Sequence, residues 1–203
     1  MRKSISGLIL GAGASTRLGP PKQLLPYRGS TMLGWVVAQA EQALRLDEVI
    51  VVLGRAADEI CERVNFGAAK VVENLVFSEG CSSSYRAGLA AIDSHAEAIM
   101  IILGDQPGIT PETIDTLADE WHHTEAPIAL CSYQGRKGHP MIFAESMFDQ
   151  LEKLHGDEAA WKLVDLNSDR VHEVALNVPF PDDINTIEDF ERIASTGKSG
   201  ETV

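Results

Sequence analysis

The chain has 203 residues, of which 44% are hydrophobic, and this is enough apolar material for one good core. We therefore expect one domain over residues 1–195, followed by a flexible, polar tail over 196–203. The formal net charge is −13. A chain this acidic repels nucleic acid and anionic membranes, which require basic patches, so neither is expected as a partner.

Other features of the sequence favour a cytoplasmic location. No basic N-terminal region leads into a signal-type apolar segment, and no apolar run is long enough to span a bilayer. The three cysteines, Cys61, Cys81 and Cys131, lie far apart and form no metal-binding motif. We therefore expect a soluble, cytoplasmic protein whose cysteines are free thiols.

Short apolar runs alternate with helical patterns along the chain. The predicted strands are 5–10, 49–53, 69–73, 98–103, 127–131 and 171–175, and the predicted helices are 31–45, 56–65, 82–93, 111–123, 144–154, 157–166 and 186–195. The runs at 49–53 and 98–103 are continuously apolar, which is typical of parallel strands covered on both faces. This pattern predicts an α/β fold, a three-layer sandwich with a mostly parallel, Rossmann-like sheet, whose ligands lie at the carboxyl ends of the strands.

The first predicted strand leads into a loop of small residues, 11–19, which carries Arg17 and is followed by Lys22. Small residues let backbone N–H groups approach a ligand closely, and successive N–H groups form a concave nest for anions. The loop is not a P-loop, because no glycine directly precedes Lys22, and Thr16 occupies the third glycine position of the dinucleotide fingerprint. It predicts a polyphosphate site; the alternative is a flexible connector with incidental charges.

Asp105 follows the most apolar strand, 98–103, at the edge where ligands are expected. A carboxylate that emerges from a buried strand is well placed to hold Mg²⁺, which prefers one or two carboxylates together with waters and substrate phosphates. From spacing alone, a turn or a helix cap before Thr110 explains this residue equally well.

A second polar cluster, 182–186, permits two interpretations. Asp183 or Asn185 completes the cation site, or the cluster only caps the last predicted helix, and both can be true.

Two further segments contain candidate binding residues. The serines at 82–84 open a helix, where hydroxyl and N–H groups suit an anion or a ribose, although capping alone also explains them. Arg86 either contacts a bound substrate or pairs with a surface acid. A lone histidine such as His139 is more often structural, but the basic pair Arg136–Lys137 beside it makes a substrate-binding loop plausible.

Several motifs in one order carry a family resemblance. They are the loop 10–25, Ser82–Leu89, Gly104–Asp105–Gln106–Pro107, Gly138–His139–Pro140 and the closing segment 183–189. Together they resemble the MobA-like nucleotidyltransferases, and within that group the molybdenum cofactor cytidylyltransferases. The resemblance covers roughly residues 5 to 192. It implies a sheet of the nucleotidyltransferase (nucleotide-diphospho-sugar transferase) type.

The resemblance also implies a reaction, namely Mg²⁺-dependent transfer of CMP from CTP to a phosphorylated acceptor, with molybdopterin cofactor as the first candidate, and release of pyrophosphate. A molybdo-hydroxylase or its maturation factor is then a possible partner. The implied catalytic residues are Arg17, Lys22 and Asp105. The implied nucleotide contacts are Leu10, Gly11, Ala12, Gly13, Arg17, Lys22, Ser82, Ser83 and Gly104. The implied acceptor contacts are Ser84, Arg86 and His139, and the implied metal ligands are Asp105, Asn185 and Asp183.

This chain departs from the family pattern at several positions. Asn185 is a neutral ligand, Ile187 replaces the usual proline, and the segment after Gly156–Asp157 lacks a second glycine and an arginine. Ala12 occupies a position where guanylyl enzymes have glycine. Its methyl group should narrow the site and disfavour a purine, so we expect a preference for CTP over GTP. Gly11 beside it matches neither the cytidylyl nor the guanylyl pattern and leaves some use of GTP open.

Other functions remain open from the sequence. They are guanylyl transfer from GTP, transfer to a sugar or alcohol phosphate, and a non-catalytic nucleotide- or cofactor-binding accessory role in molybdo-hydroxylase maturation. The presence of Arg17, Lys22 and Asp105 together favours an enzyme.

Overall fold

A computed structural model of the chain describes residues 2–13, 21–184 and 189. Several predicted features lie outside the described residues: Arg17 within 14–20, the metal-ligand candidate Asn185, the helix predicted over 186–195 except for residue 189, and the tail 196–203.

The described residues form a seven-stranded sheet and a small separate hairpin. The strands are β1 (Ile5–Gly11), β2 (Pro26–Tyr27), β3 (Ser30–Thr31), β4 (Glu48–Leu53), β5 (Lys70–Glu73), β6 (Ala98–Leu103), β7 (Ile128–Tyr133), β8 (Arg136–Ala144) and β9 (Val171–Leu176). Strands β2 and β3 make the hairpin, and the sheet order is β5-β4-β1-β6-β8-β7-β9. Only β8 runs antiparallel to its neighbours, so the prediction of a mostly parallel sheet is confirmed.

Helices cover both faces of this sheet. The helices are α1 (Met32–Gln42), α2 (Ala57–Arg63), α3 (Ser82–Leu89), α4 (Pro111–Thr124), α5 (Phe148–Glu152) and α6 (Trp161–Leu166). One apolar core joins the sheet to α1, α2 and α4, and a second core joins it to α3, α5 and α6. The three-layer sandwich is therefore confirmed. No helix of the described residues is long and apolar enough to cross a membrane.

Local sequence explains why these elements form where they do. Residues 98–102 are completely buried, as a continuous apolar run between two helical layers requires. Helix α4 begins with Thr110 as its cap, whose hydroxyl oxygen accepts a hydrogen bond from the Thr113 N–H at 3.3 Å, and Pro111 occupies the first turn.

The largest error of the sequence prediction is β8. Residues 136–140 were expected to form a loop, but they belong to a strand between β6 and β7. Pro140 has no N–H to donate, and β8 accommodates it at a register shift opposite Leu130 and Cys131, where the strand ladder is interrupted. The helix expected over 144–154 is correspondingly shorter, since α5 spans Phe148–Glu152.

The remaining predicted elements differ mainly at their ends. The helix expected over 157–166 begins only at Trp161. Helix α3 ends at Leu89, four residues before the predicted end at residue 93. The predicted strands lie within two residues of the observed ones.

The sheet brings two loops to one edge. Strands β1 and β6 are parallel neighbours, so the residues that follow them emerge side by side. The absence of a side chain at Gly104 lets its backbone lie close to that of Leu10, because a Cβ atom there would lie only 2.9 Å from the Leu10 carbonyl oxygen. Instead, the Gly104 N–H donates a hydrogen bond to that oxygen at 3.0 Å. The loop after β1 and the loop containing Asp105 are thereby joined.

Candidate active site

A cavity of about 510 Å³ opens at this edge of the sheet. It brings together nine of the predicted site residues: Leu10, Gly11, Ala12, Gly13, Lys22, Ser84, Gly104, Asp105 and His139. Ser82, Ser83, Arg86 and Asp183 are not among the residues that line it. The other residues that line it were not among the predicted site residues, namely Gln23, Phe77, Gly80, Cys81, Tyr85, Leu103, Asp157, Ala159 and Trp161.

An ion pair between Lys22 and Asp105 lies in the cavity lining. The Lys22 ammonium group contacts Asp105 Oδ2, and the two side chains are 13% and 22% exposed. Lys22 opens a short 3-10 turn after the β1 loop, while Asp105 follows β6. The pair therefore places a cation and a carboxylate at the point where the two loops meet, partly shielded from water, so their charges interact more strongly than on an open surface.

Gln23 holds the loop that follows β1. Its side chain is buried, and its Nε2 donates hydrogen bonds to the Gly11 carbonyl oxygen at 2.7 Å and the Gly13 carbonyl oxygen at 3.0 Å. Because both partners are acceptors, the amide nitrogen must face them. The sequence motif contained Gln23, but no signal in the sequence indicated which backbone atoms its side chain would reach.

A second carboxylate stands close to Asp105. Gln106 Nε2 donates a hydrogen bond to Asp183 Oδ1 at 2.6 Å, and the Ile184 N–H donates to the Asp105 carbonyl oxygen at 3.1 Å. Partial burial raises the pKa of Asp183, the Gln106 hydrogen bond opposes this, and the nearby Asp105 carboxylate raises the pKa further. Two neighbouring acids thus share one corner of the site.

The donor set in this corner fits a hard divalent cation. Magnesium prefers oxygen ligands and commonly takes one or two carboxylates with waters and phosphates. Asp105 and Asp183 supply carboxylates, and the buried Gln106 Oε1 has no hydrogen-bond partner among the residues that the structure describes. Within the described part of the chain, no group of three or more His, Cys, Asp or Glu residues forms an all-protein metal site. The arrangement therefore fits a cation that is completed by a substrate rather than one enclosed by protein.

The three serines at the start of α3 have different surroundings. Ser83 donates a hydrogen bond to the Gly80 carbonyl oxygen at 2.7 Å and accepts one from Asn74 Nδ2 at 2.7 Å. It therefore holds the turn that leads into the helix. Ser84, which also accepts from Asn74 Nδ2 at 3.2 Å, is the one of the three that lines the cavity.

Arg86 is engaged away from the cavity lining. Its guanidinium donates to the Leu154 carbonyl oxygen at 2.8 Å and to Glu79 Oε2 at 3.2 Å. The structure therefore shows the pairing with a surface acid that was one of the two alternatives for this residue.

The cavity wall on the side of α3 and α6 is aromatic. His139 is 6% exposed and packs edge-to-face against Trp161, with ring centroids 5.8 Å apart. Burial lowers the pKa of His139 to about 4, although the Asp105 charge opposes this shift. Burial raises the pKa of Tyr85 to about 12, and its hydroxyl oxygen accepts a hydrogen bond from the Ala160 N–H at 3.1 Å. His139 and Tyr85 are therefore uncharged near neutral pH.

Comparison with known proteins finds one matching family model and several similar proteins. Residues 7–174 match the model of the MobA-like NTP transferase domain. The chain is 37% identical over 149 residues to nicotine blue oxidoreductase of Paenarthrobacter nicotinovorans, a match that covers 68% of this chain and 70% of that protein. It is 27% identical over 143 residues to molybdenum cofactor cytidylyltransferase of Escherichia coli K12, covering 70% of this chain and 71% of that protein.

A solved structure extends the likeness to nearly the whole chain. The structure of Rv0371c from Mycobacterium tuberculosis H37Rv in complex with manganese is 35% identical in sequence and superimposes with a TM-score of 0.82. The match covers 96% of this chain and 100% of that one.

The buried His139 predicts a pH-dependent stability. Its pKa is lowered from 6.5 to about 4 in the folded state, so below about pH 6.5 the unfolded chain binds a proton that the folded chain does not. This contribution to stability is complete above that pH and is lost as the pH falls towards 4. From about pH 7 to pH 5 we expect a loss of about 2 kcal/mol in the free energy of unfolding from this residue.

Urea unfolding at the two pH values measures this effect. In His139→Phe, which keeps a ring beside Trp161 but does not titrate, the loss should shrink by most of that amount. The same substitution at the exposed His123 serves as the matched control and should leave the pH dependence nearly unchanged. Equal pH dependence in wild type and His139→Phe would show that His139 titrates normally.

Proposed function

The chain belongs to the MobA-like NTP transferase family, an enzyme family of nucleotidyltransferases, and we propose that it transfers CMP from CTP to a phosphorylated acceptor. The observation that best supports this proposal is the Lys22–Asp105 ion pair, which lies where the loops that follow β1 and β6 meet. A cation for phosphates and a carboxylate for a metal are the two charges that such a transfer needs in one place.

Asp105 and Asp183 are the residues that would hold the divalent cation, and Mg²⁺ is the proposed ion. Manganese in the structure of the Rv0371c relative supports a divalent metal in this fold. When bound, such a cation neutralises phosphate charge and favours departure of pyrophosphate. Asn185, which lies outside the described residues, remains a proposed additional ligand. Gln106 orients Asp183 through its hydrogen bond and so helps to set the spacing of the two acids.

Lys22 acts on the triphosphate in this proposal. When the nucleotide enters, its phosphates compete with Asp105 for the Lys22 ammonium group, and the carboxylate becomes available to the metal. Arg17, outside the described residues, is proposed to add a second cation. A phosphate oxygen of the acceptor attacks the α-phosphorus and forms the new anhydride bond, while the bond to the β-phosphate breaks and its electrons leave with pyrophosphate. That oxygen is already ionised at neutral pH, so no base has to remove a proton.

The aromatic wall suits the acceptor. The flat faces and edges of His139, Trp161 and Tyr85 offer apolar contact to a planar heterocycle, and Ser84 offers a hydroxyl. A phosphorylated pterin, the molybdopterin cofactor, combines such a ring with the required phosphate. The similarity to molybdenum cofactor cytidylyltransferase supports this acceptor. A molybdo-hydroxylase or its maturation factor is then the proposed recipient of the product.

One finding favours a second candidate function. The 37%-identical relative is named an oxidoreductase, and an aromatic wall also suits a flat redox-active substrate. The Lys22–Asp105 pair favours nucleotidyl transfer. This reaction needs a cation for the phosphates and a carboxylate for a metal in one place, whereas a hydride transfer needs neither. Oxidation of nicotinamide nucleotides is therefore measured together with nucleotidyl transfer.

We expect pyrophosphate release from CTP in the presence of Mg²⁺ and molybdopterin, with kcat/KM for CTP at least about tenfold above that for GTP. The physical reason is Ala12, whose methyl group narrows the site for a purine. Release of pyrophosphate from each of the four NTPs, with one acceptor, measures the preference. Oxidation of NADH and NADPH with a quinonoid dye is followed in parallel.

Different results contradict different parts of the proposal. A preference for GTP, or equal use, refutes cytidylyl transfer and leaves the family assignment intact. Transfer to sugar or alcohol phosphates but not to molybdopterin changes the acceptor. Nucleotide binding without any transfer favours the accessory role, and nicotinamide oxidation alone favours the oxidoreductase.

Asp105→Asn tests the catalytic carboxylate directly. It removes the negative charge but keeps the size of the side chain, so we expect transfer to fall at least about 100-fold. The free energy of unfolding should fall by about 1–3 kcal/mol, because the substitution removes a charged hydrogen bond that is largely shielded from water. Pyrophosphate release and urea unfolding measure the two effects. Asp165→Asn, at an exposed position on α6, is the matched control. Turnover near the wild-type rate in Asp105→Asn would end the catalytic assignment.

A further inference from the structure

The loop segment 10–13 has no polar side chain, so any hydrogen bond that it makes to a nucleotide base must come from its backbone. Gln23 decides which backbone groups are available. Both N–H bonds of its buried amide are directed at carbonyl oxygens of this segment, those of Gly11 and Gly13. These two acceptors are therefore occupied by the protein before a nucleotide arrives.

The other two carbonyl groups of the segment also face the protein. The Leu10 carbonyl oxygen accepts the hydrogen bond of the Gly104 N–H at 3.0 Å. The Ala12 carbonyl oxygen packs against Gly54, just after β4, where a Cβ atom would lie only 2.8 Å from it. Three of the four carbonyl oxygens of the segment thus accept hydrogen bonds from Gln23 or Gly104, and the fourth, that of Ala12, lies beside Gly54.

The N–H groups of the segment are in a different situation. Among the described residues, no acceptor for the N–H of Ala12 or Gly13 is present, although both residues line the cavity. Within the part of the chain that the structure describes, the segment therefore has unbonded N–H donors at the cavity, while three of its four carbonyl acceptors already have hydrogen-bond partners.

We propose that Gln23 sets the base preference of the site by occupying the Gly11 and Gly13 carbonyl groups, so that the loop contacts a base mainly through its N–H donors. Cytosine presents two acceptors, O2 and N3, to such a loop. The corresponding edge of guanine presents the donors N1–H and N2–H, which would meet N–H groups and find no acceptor. This inference rests on the proposed function. Gln23 is a positioning residue in it, since it acts through Gly11 and Gly13 rather than on the nucleotide.

The first test replaces Gln23 by methionine, which is unbranched and of similar length but donates no hydrogen bond. The Gly11 and Gly13 carbonyl oxygens then become available to guanine. We expect the ratio of kcat/KM for CTP over GTP to fall at least about tenfold, the effect of one buried hydrogen-bond match. A purely structural defect would slow both nucleotides equally and leave this ratio unchanged.

Gln42→Met is the matched control for this substitution. Gln42 is exposed, and its amide donates only within its own helix, to the Ala38 carbonyl oxygen at 3.0 Å. The nucleotide ratio of Gln42→Met should equal that of the wild type. An unchanged ratio in Gln23→Met, with turnover retained, overturns the inference.

The second test uses the wild-type protein and so does not depend on the folding of a variant. In 3-deaza-CTP a C–H group replaces the acceptor N3. With Mg²⁺ and without an acceptor molecule, calorimetry should show at least about tenfold weaker binding of 3-deaza-CTP than of CTP. Equal binding of the two overturns the inference even if Gln23→Met does not fold. A wild-type preference for GTP would instead refute the proposed function itself, so the two failures are distinguishable.

Discussion

The ion pair between Lys22 and Asp105 is the interaction on which the site depends. It joins the loop after β1 to the loop after β6, and these two strands are parallel neighbours at the centre of the sheet. A lysine and an aspartate in contact neutralise each other, so the pair is tolerated in a partly buried position. In the function that we propose, Lys22 would then contact the triphosphate and Asp105 would hold the divalent cation.

The rest of the cavity differs in character from this charged corner. His139 and Tyr85 are uncharged near neutral pH because burial shifts their pKa values away from 7. In the function that we propose, a polyanionic nucleotide is attracted to Lys22, while a planar ring contacts the aromatic residues beside Trp161. A local phosphate site of this kind is compatible with a net charge of −13, because it depends on nearby charges rather than on the overall field.

The sequence was sufficient for the features that depend on continuous or local patterns. The continuous apolar run 98–103 predicts a buried strand, and β6 has the same bounds. The loops that carry Lys22 and Asp105 both follow predicted strands, so the sequence could assign them to one edge of the sheet, and both residues line the cavity there. Strand β8 was missed because Gly138–His139–Pro140 is typical of a loop, and only the register shift against β7 lets it join a sheet.

The contacts of Gln23 and of the aromatic wall were beyond local patterns for a different reason. The contacts of Gln23 depend on where its side chain meets the backbone 12 and 10 residues earlier. The aromatic wall depends on how α3, β8 and α6, which are far apart along the chain, pack together.

The most direct test of the central claim is a crystal structure with Mn²⁺ and a non-hydrolysable α,β-methylene analogue of CTP. Anomalous scattering from manganese locates the cation without assumptions about its ligands. The account predicts one peak about 2.1 Å from an Asp105 carboxylate oxygen and in contact with the phosphates, with the Lys22 ammonium group moved from Asp105 to the triphosphate. A bound nucleotide with the Lys22–Asp105 pair intact, or a metal peak remote from Asp105, would contradict it.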